Sequence, residues 1–579
     1  MMSFKMNQEY NAFITLRAMH NLLCYSYPSQ KNPEIAFLTN YPKTSMPFPY
    51  ISLRYLKYEM QQDSEEAYMR IIHDSLRWIE TYGHYSNRKN FSPSTIEKIW
   101  DEAAISIRTI VLCTAFILTT SQKDKIILKS AAQDHFLLLC SPEGYRTDHN
   151  HGFYQNVAAL CFCKTFPDNN TTALQTMIEE RILSMCAALF TSDGFLKAHS
   201  PGYHQLLLRG HIEILQHFTF SHSFRSKLSE VIAAMAASLR PFLCPNGLLA
   251  QIGDTDITPP FPACQQAMET LPPRPDIEIL HGSGYAFIHT LGRNQTDSYL
   301  ALSGAFHSRE HKHCDDLSFI WSEGEMEILI DSGKHNYRGK FSPGTEEHAR
   351  GFWYSAPPRI YVESIHAHNC VEINGRSPSR RVPPYGVLPL KSGKIDSDIY
   401  FLQGQWKRPE NFLQERLILF SPGEWLFLFD NLSPFVKGTA SMLTQWHHFA
   451  KEFTVEEQKG SSLLLVHSTQ KRRLYCQTIL AHHATSLHKG EILPRLQGWS
   501  AADINTLTPH PAWGIHALSK ENQQFATIFS LDRPAHCIVN WDTKTKRLDC
   551  SIESGRTQQK IIFPLRINLS YSYEISSAN

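Results

Sequence analysis

No stretch of this chain is apolar for long enough to cross a bilayer: the longest run, Ile110 to Leu118, falls well short of the roughly 20 residues a spanning helix needs. An excess of either charge is also missing. Fifty-six Lys and Arg stand against 55 Asp and Glu, a formal net of +1, so no global field favours nucleic acid or an anionic membrane as a partner. Paired cysteine spacing is absent too. The 13 cysteines are scattered, and Cys113, Cys161, Cys163 and Cys186 sit inside apolar helical patterns, which marks them as reduced core thiols rather than a disulfide framework. Met1 to Tyr10 carries no apolar signal core; the chain as written is expected in the cytoplasm, and a secreted or periplasmic location would need a leader ahead of it. Internal repeats and low-complexity segments are not seen.

What is present is length and pattern. At 579 residues the chain can build two or more domains, each with its own core. Residues 1–253 read as helical. Ser94 with Glu97 forms a capping box after Pro93, and Ile96, Ile99, Trp100, Ala103, Ile107, Ile110 and Val111 follow at helical spacing. Ala173 to Phe190, closed by Asp193-Gly194, and Lys227 to Leu239, stopped by Pro241, are further amphipathic helices. Successive helices without strands between them imply helix-on-helix packing, as in an (α/α) toroid or a solenoid of hairpins. Prolines crowd residues 254–280, where they remove backbone donors, so this stretch is expected to be a linker. From 281 to 579 short β-rich runs dominate, among them Tyr299 to Leu302, Arg416 to Phe420, Trp425 to Phe429, Ser462 to Val466 and Ala526 to Phe529. They predict stacked antiparallel sheets, a β-sandwich with room for a smaller C-terminal β subdomain. The fold class is therefore α+β multidomain.

The segment His307 to Tyr337 gathers the most chemistry. Read as a strand, it projects His311 and His313 from one face, with Lys312 turned away. Leu317 to Trp321 and Met326 to Ile330 are the arms of a hairpin around Glu323-Gly324. A two-residue turn there places Asp331 on the face opposite His313; a three-residue turn or a bulge restores the shared face. A second His-x-His, His366 and His368 in another strand-like run, can complete a His, Asp, His set. Three N and O ligands suit a zinc-type ion with an open position.

Two loops of the helical half carry further candidates. Asp148-His149-Asn150-His151-Gly152 precedes an apolar helix, and Ser200-Pro201-Gly202-Tyr203-His204 follows the Ala173 helix. As ordinary structure they are a cap and a turn aromatic. Together with the later histidines they fit removal of a proton beside a carboxylate. That chemistry needs a base, a group that stabilises the carboxylate charge, and an acid for the leaving oxygen. The 11% aromatic content and 29 histidines agree with a sugar cleft.

Asn150-His151-Gly152, Ser200-Pro201-x-Tyr203-His204, His311-x-His313-x-Asp315-x-Leu317-Ser318-Phe319, Asp331-Ser332-Gly333 with Tyr337, and His368-Asn369 with Gly375 resemble, in order and separation, the heparinase II/III-type polysaccharide lyases. The likeness spans roughly residues 140 to 450. It implies an N-terminal (α/α) toroid, a C-terminal antiparallel β-sandwich, and β-elimination of a uronate-containing acidic polysaccharide to unsaturated oligosaccharides. A glycosaminoglycan is the leading substrate and alginate the next. By the same resemblance Asn150 neutralises the carboxylate, and Tyr203 is the acid, and the base as well where the leaving group lies on the side of the C5 proton. His151 or His311 is the base in the opposite geometry, and Tyr337 is a second cleft tyrosine. His313, Asp331 and His368 hold one divalent metal, expected to be zinc, with manganese and calcium as alternatives. Ser332 stands where the pattern usually has Pro, and His307, His366 and Asp316 are extra candidate ligands. A toroidal glycoside hydrolase and a carbohydrate-binding protein without turnover are the competing readings.

Overall fold

The computed structural model describes residues 7–25, 48–83, 92–142, 144–167, 171–292, 295–381, 386–480, 484–554 and 557–564. The chain folds as two compact units, one made of Met1–Leu189 with Leu207–Ile232, the other of Phe190–Leu206 with Ala233–Asn579. These units do not follow the expected boundaries at 253 and 281. Phe190–Leu206 and the residues after Ile232 pack with the strands, and the proline-rich stretch holds the helix Pro262–Glu269 and the strand Ile277–Leu280.

In the first unit the expected single helix over 94–111 is two, Pro93–Ile99 and Glu102–Leu118. Asp101 makes the break: its carboxylate accepts the Ala103 and Ala104 N–H groups at 3.0 and 3.1 Å and so starts a new helix. The Ser94 side chain, expected as a cap, lies outside the described residues, as does the start of Met1–Tyr10. Glu102–Leu118 is buried on nearly every face, which suits a helix ringed by others. Its Arg108 donates to His135 Nε2 and to the carbonyls of Ile51 and Ile99 and lies 4.0 Å over the Trp78 ring, so the buried charge is fully engaged. Helices Thr171–Leu189 and His222–Leu239 agree with expectation. Asn7–Leu23, Glu65–Tyr82 and Gln122–Cys140 are additional helices that the sequence reading did not single out. Among the described residues no helix is long and apolar enough to cross a membrane.

The second unit is built of antiparallel sheets. A five-stranded sheet runs Ile277–Leu280, Tyr285–Leu291, Asp297–Ser303, Phe319–Glu323, Met326–Leu329 in spatial order, and an eight-stranded and a four-stranded sheet join it around one core. Trp321, Phe420, Leu428, Phe449, Trp513 and Phe529 interlock there at 1% exposure or less. The last described strands, Ala535–Asp542, Arg547–Ser554 and Thr557–Pro564, form a three-stranded sheet that shares a second core with the eight-stranded one. All 13 cysteines are free, and all but Cys140 and Cys537 are buried, as the spacing implied.

Two buried polar ties position the site. Arg416 pairs with Asp430 at 2.7 Å and donates to the carbonyls of Leu317 and Asn369. Asn369 donates to the Phe319 and Ile330 carbonyls at 2.8 and 3.0 Å and accepts from His448 N at 2.8 Å. The hairpin and the segment of His368 are thereby locked together, since each of these buried groups loses its water on folding.

Candidate active site

Everything in the second unit's site converges on Asp254, a fully buried carboxylate in the proline-rich stretch. Oδ2 accepts from Tyr337 Oη at 2.8 Å, His311 Nδ1 at 3.0 Å and Arg359 Nη2 at 3.0 Å. Oδ1 accepts from His313 Nε2 at 3.0 Å and from Arg359 Nη1. Burial works against the charge, yet the Arg359 guanidinium and the two histidine bonds outweigh it and hold Asp254 well below the usual carboxylate range. The backbones meet here as well. Asp254 N donates to His311 O at 2.9 Å, and a Cβ on Gly253, where φ is +56°, would lie 2.5 Å from His311 O and 2.7 Å from His199 O, so only glycine fits.

Tyr203 sits in the first turn of the helix Pro201–His217 rather than in a loop. Ser200 fixes that turn: its hydroxyl accepts Tyr203 N at 3.2 Å and donates to Asp254 O at 2.7 Å. Tyr203 and His311 stack with ring centroids 3.6 Å apart and planes 15° apart, and the Tyr203 and Tyr337 hydroxyls are 3.1 Å apart. Arg359 lies 4.6 Å over the Tyr337 ring, and burial with the adjacent Asp254 raises the Tyr337 phenol well above its ordinary value. Of the expected catalytic set, then, Tyr203, His311 and Tyr337 are brought together.

The strand expected across His311 and His313 is not formed. His311 takes a left-handed backbone, φ 60°, in an irregular segment, and Lys312 is buried in an ion pair with Asp315 rather than turned to solvent. Both histidines nevertheless face one carboxylate. His366 is likewise in a 3-10 turn, Ile365–Ala367, not a strand.

His313, Asp331 and His368 bring ligand atoms within 4.8 Å of one another, all buried. The hairpin has a bulge at the register shift between Trp321 and Ser322, while His313 comes from the irregular segment and not from a strand face. His368 Nδ1 lies 2.9 Å from Asp331 Oδ2, with Nε2 held by Val362 O at 3.0 Å, and His313 Nδ1 is a buried atom without a hydrogen-bond partner. An orphaned ring nitrogen beside a carboxylate and a second imidazole is the donor set a divalent ion takes, so the residues fit the group. Burial lowers His313, whereas the Asp331 carboxylate overrides burial at His368 and raises it. The extra candidates go elsewhere. His307 Nε2 meets Gly282 O at 2.8 Å, His366 is 3.8 Å from Glu372, and Asp316 lies 3.8 Å from Lys312 with burial pushing it up to about 6.

Asn150 and His151 belong to the first unit. They open the helix Asn150–Thr165, capped by His149 Nδ1, which accepts His151 N at 3.1 Å. His151 Nδ1 is 3.8 Å from Glu102, whose carboxyl is held down at about 2, chiefly by that histidine. Asp101, Glu102 and His151 also bring ligand atoms within 4.8 Å, half-exposed, but Asp101 is occupied as a helix cap. The Asn150 amide oxygen is buried without a hydrogen-bond partner.

Asp254, Arg359 and Glu102 were not anticipated. Glu102 reads as an ordinary first-turn acid, and Arg359 stands in Pro-Pro-Arg-Ile, which signals only a helix start. The one available hint for Asp254 was an acid flanked by Leu248-Leu249-Ala250 and Ile252, an apolar setting in which a charge needs a partner.

Residues 272–531 match the family model described as Heparinase II/III-like, C-terminal. No curated protein matches the chain. Among solved structures it is similar to a heparinase III, with 12% identity and TM-score 0.72 over 97% of this chain and 92% of that one. It is similar as well to a mutant of the heparan sulfate lyase HepC from Pedobacter heparinus, with 13% identity and TM-score 0.65 over 95% and 90%. The fold is thus the helical toroid and antiparallel sandwich that the sequence implied.

Proposed function

From the match of residues 272–531 to the Heparinase II/III-like C-terminal model, we propose that the chain is a polysaccharide lyase that cleaves a uronate-containing polymer, a glycosaminoglycan first, by β-elimination. One observation carries the reading: a phenol and an imidazole stacked at 3.6 Å, with the imidazole's Nδ1 bonded to an ionised carboxylate. A neutral ring that donates from Nδ1 keeps its Nε2 lone pair, which makes His311 a base for the C5 proton. Tyr203 delivers its hydroxyl proton to the leaving oxygen and is refilled with the proton that His311 takes from C5, passed from His311 Nδ1 through Tyr337, whose hydroxyl lies 3.2 Å from that nitrogen and 3.1 Å from the Tyr203 hydroxyl. Where acid and base act from one side, Tyr203 serves as both.

Asn150 is assigned the uronate carboxylate, because an amide in a first helical turn joins the positive end of the helix dipole. His151, with Glu102 beside it, is the alternative base. His313, Asp331 and His368 would hold a divalent ion, zinc first, with manganese or calcium as alternatives. The bound ion would supply a fixed charge that braces the segment of His311 through His313. Against a glycoside hydrolase stands the carboxylate chemistry: such an enzyme needs two usable carboxyl groups about 5 to 9.5 Å apart, and Asp254 has five donors on its two oxygens. Incubation with heparan, chondroitin, hyaluronan and alginate polymers, followed by ultraviolet absorbance, tests the proposal. A rise from the conjugated double bond is expected; new reducing ends without absorbance would mean a hydrolase, and neither would mean a binder.

A further inference from the structure

We propose that Asp254 is a positioning residue that fixes opposite tautomers in two histidines and so ties the metal site to proton transfer. The inference rests on His311 acting as base. An ionised carboxylate accepts and never donates, so each ring nitrogen that faces it carries the proton. At His311 that nitrogen is Nδ1, 3.0 Å from Oδ2; at His313 it is Nε2, 3.0 Å from Oδ1. Neutral imidazole has a single N–H, hence His311 presents a bare Nε2 and His313 a bare Nδ1. The bare Nδ1 of His313 is buried without a partner within the protein, and His313 is grouped with Asp331 and His368. One carboxylate thus aims a lone pair at the substrate from one ring and a lone pair at the metal from the other.

The surroundings keep this arrangement single-valued. Arg359 closes a two-pronged contact on both oxygens, and Tyr337 donates to Oδ2 at 2.8 Å, which leaves no room for the carboxylate to turn. The contact at Gly253 and the Asp254 N to His311 O bond hold the two segments in register. An amide in place of the carboxylate has one accepting and one donating end, so it can satisfy only one of the two histidines as they stand; the other must invert.

The test uses the full-length protein labelled with 15N-histidine, with the two rings assigned through His311→Gln and His313→Gln. In the wild type His311 is expected protonated at Nδ1 and His313 at Nε2; either ring in the other tautomer overturns the proposal. In Asp254→Asn one of the two inverts, zinc affinity in a competition titration falls about 10- to 100-fold, and kcat falls by a similar factor with KM nearly constant. A variant that keeps both tautomers, its zinc affinity and its kcat refutes the coupling. The spectra and the zinc titration need no turnover. If they come out as stated while the wild type forms no unsaturated product, the lyase reading fails and the tautomer assignment stands.

Discussion

Replacing Arg359 with methionine removes the guanidinium that pairs with a carboxylate 1% exposed, and it keeps most of the side-chain volume. Arg359 bonds both Asp254 oxygens, bonds Glu363 Oε1 at 2.9 Å through Nε and at 2.6 Å through Nη2, and covers the Tyr337 ring. Glu363 retains Arg380 at 2.9 Å, so the uncompensated charge in the variant is Asp254 alone, left with three neutral donors. Deleting one partner of a buried pair costs about 3–5 kcal/mol. The remaining donors place Arg359→Met near the lower end, roughly 3 kcal/mol. Urea unfolding followed by tryptophan fluorescence measures it. Adding Asp254→Asn removes the stranded charge, so the double variant is expected to be more stable than the sum of the singles by about 1 kcal/mol or more. A single variant within about 0.5 kcal/mol of wild type, or strictly additive effects, would refute the placement of a buried charge hub at Asp254.

Tyr203→Phe should lose about a hundredfold or more in kcat and keep substrate binding, because it removes a proton donor and little contact area; near-normal rates would sink its assigned role. His313→Ala should lose bound metal by elemental analysis and about 2 kcal/mol of stability, the worth of a hydrogen bond to a charged group; unchanged metal content would contradict the ligand set. Burial holds His20, His447 and His510 down at about 3. The unfolded chain therefore takes up these protons first: stability is complete above about 6.5 and declines as pH falls toward 3, by about 1.4 kcal/mol per pH unit for each ring. His447→Gln should show a shallower decline in denaturation series, and a stability flat between about pH 7 and 5 would contradict this.

What the sequence could convey follows from the range of each signal. Helical and strand periodicity is local, so Thr171–Leu189 and Phe412–Ser421 were legible, whereas the break at Asp101 turned on a cap inside an otherwise continuous pattern. His313, Asp331 and His368 were readable as a set, and the hairpin has a bulge at Trp321, but the strand face assumed for His313 does not form. His311 and His313 did converge, though through a left-handed turn and not the expected strand. Asp254 was hidden, because its meaning lies in partners 57, 59, 83 and 105 residues away that no spacing rule connects. The prolines around it pointed to a linker, and the same prolines border the segment that carries the buried carboxylate.

The most direct test is the mass of the product. The purified protein is incubated with a defined uronate oligosaccharide and the fragments are weighed. The account predicts a new non-reducing end that absorbs in the ultraviolet and carries no added water, lost in Tyr203→Phe; fragments whose mass includes one water, without absorbance, would contradict it.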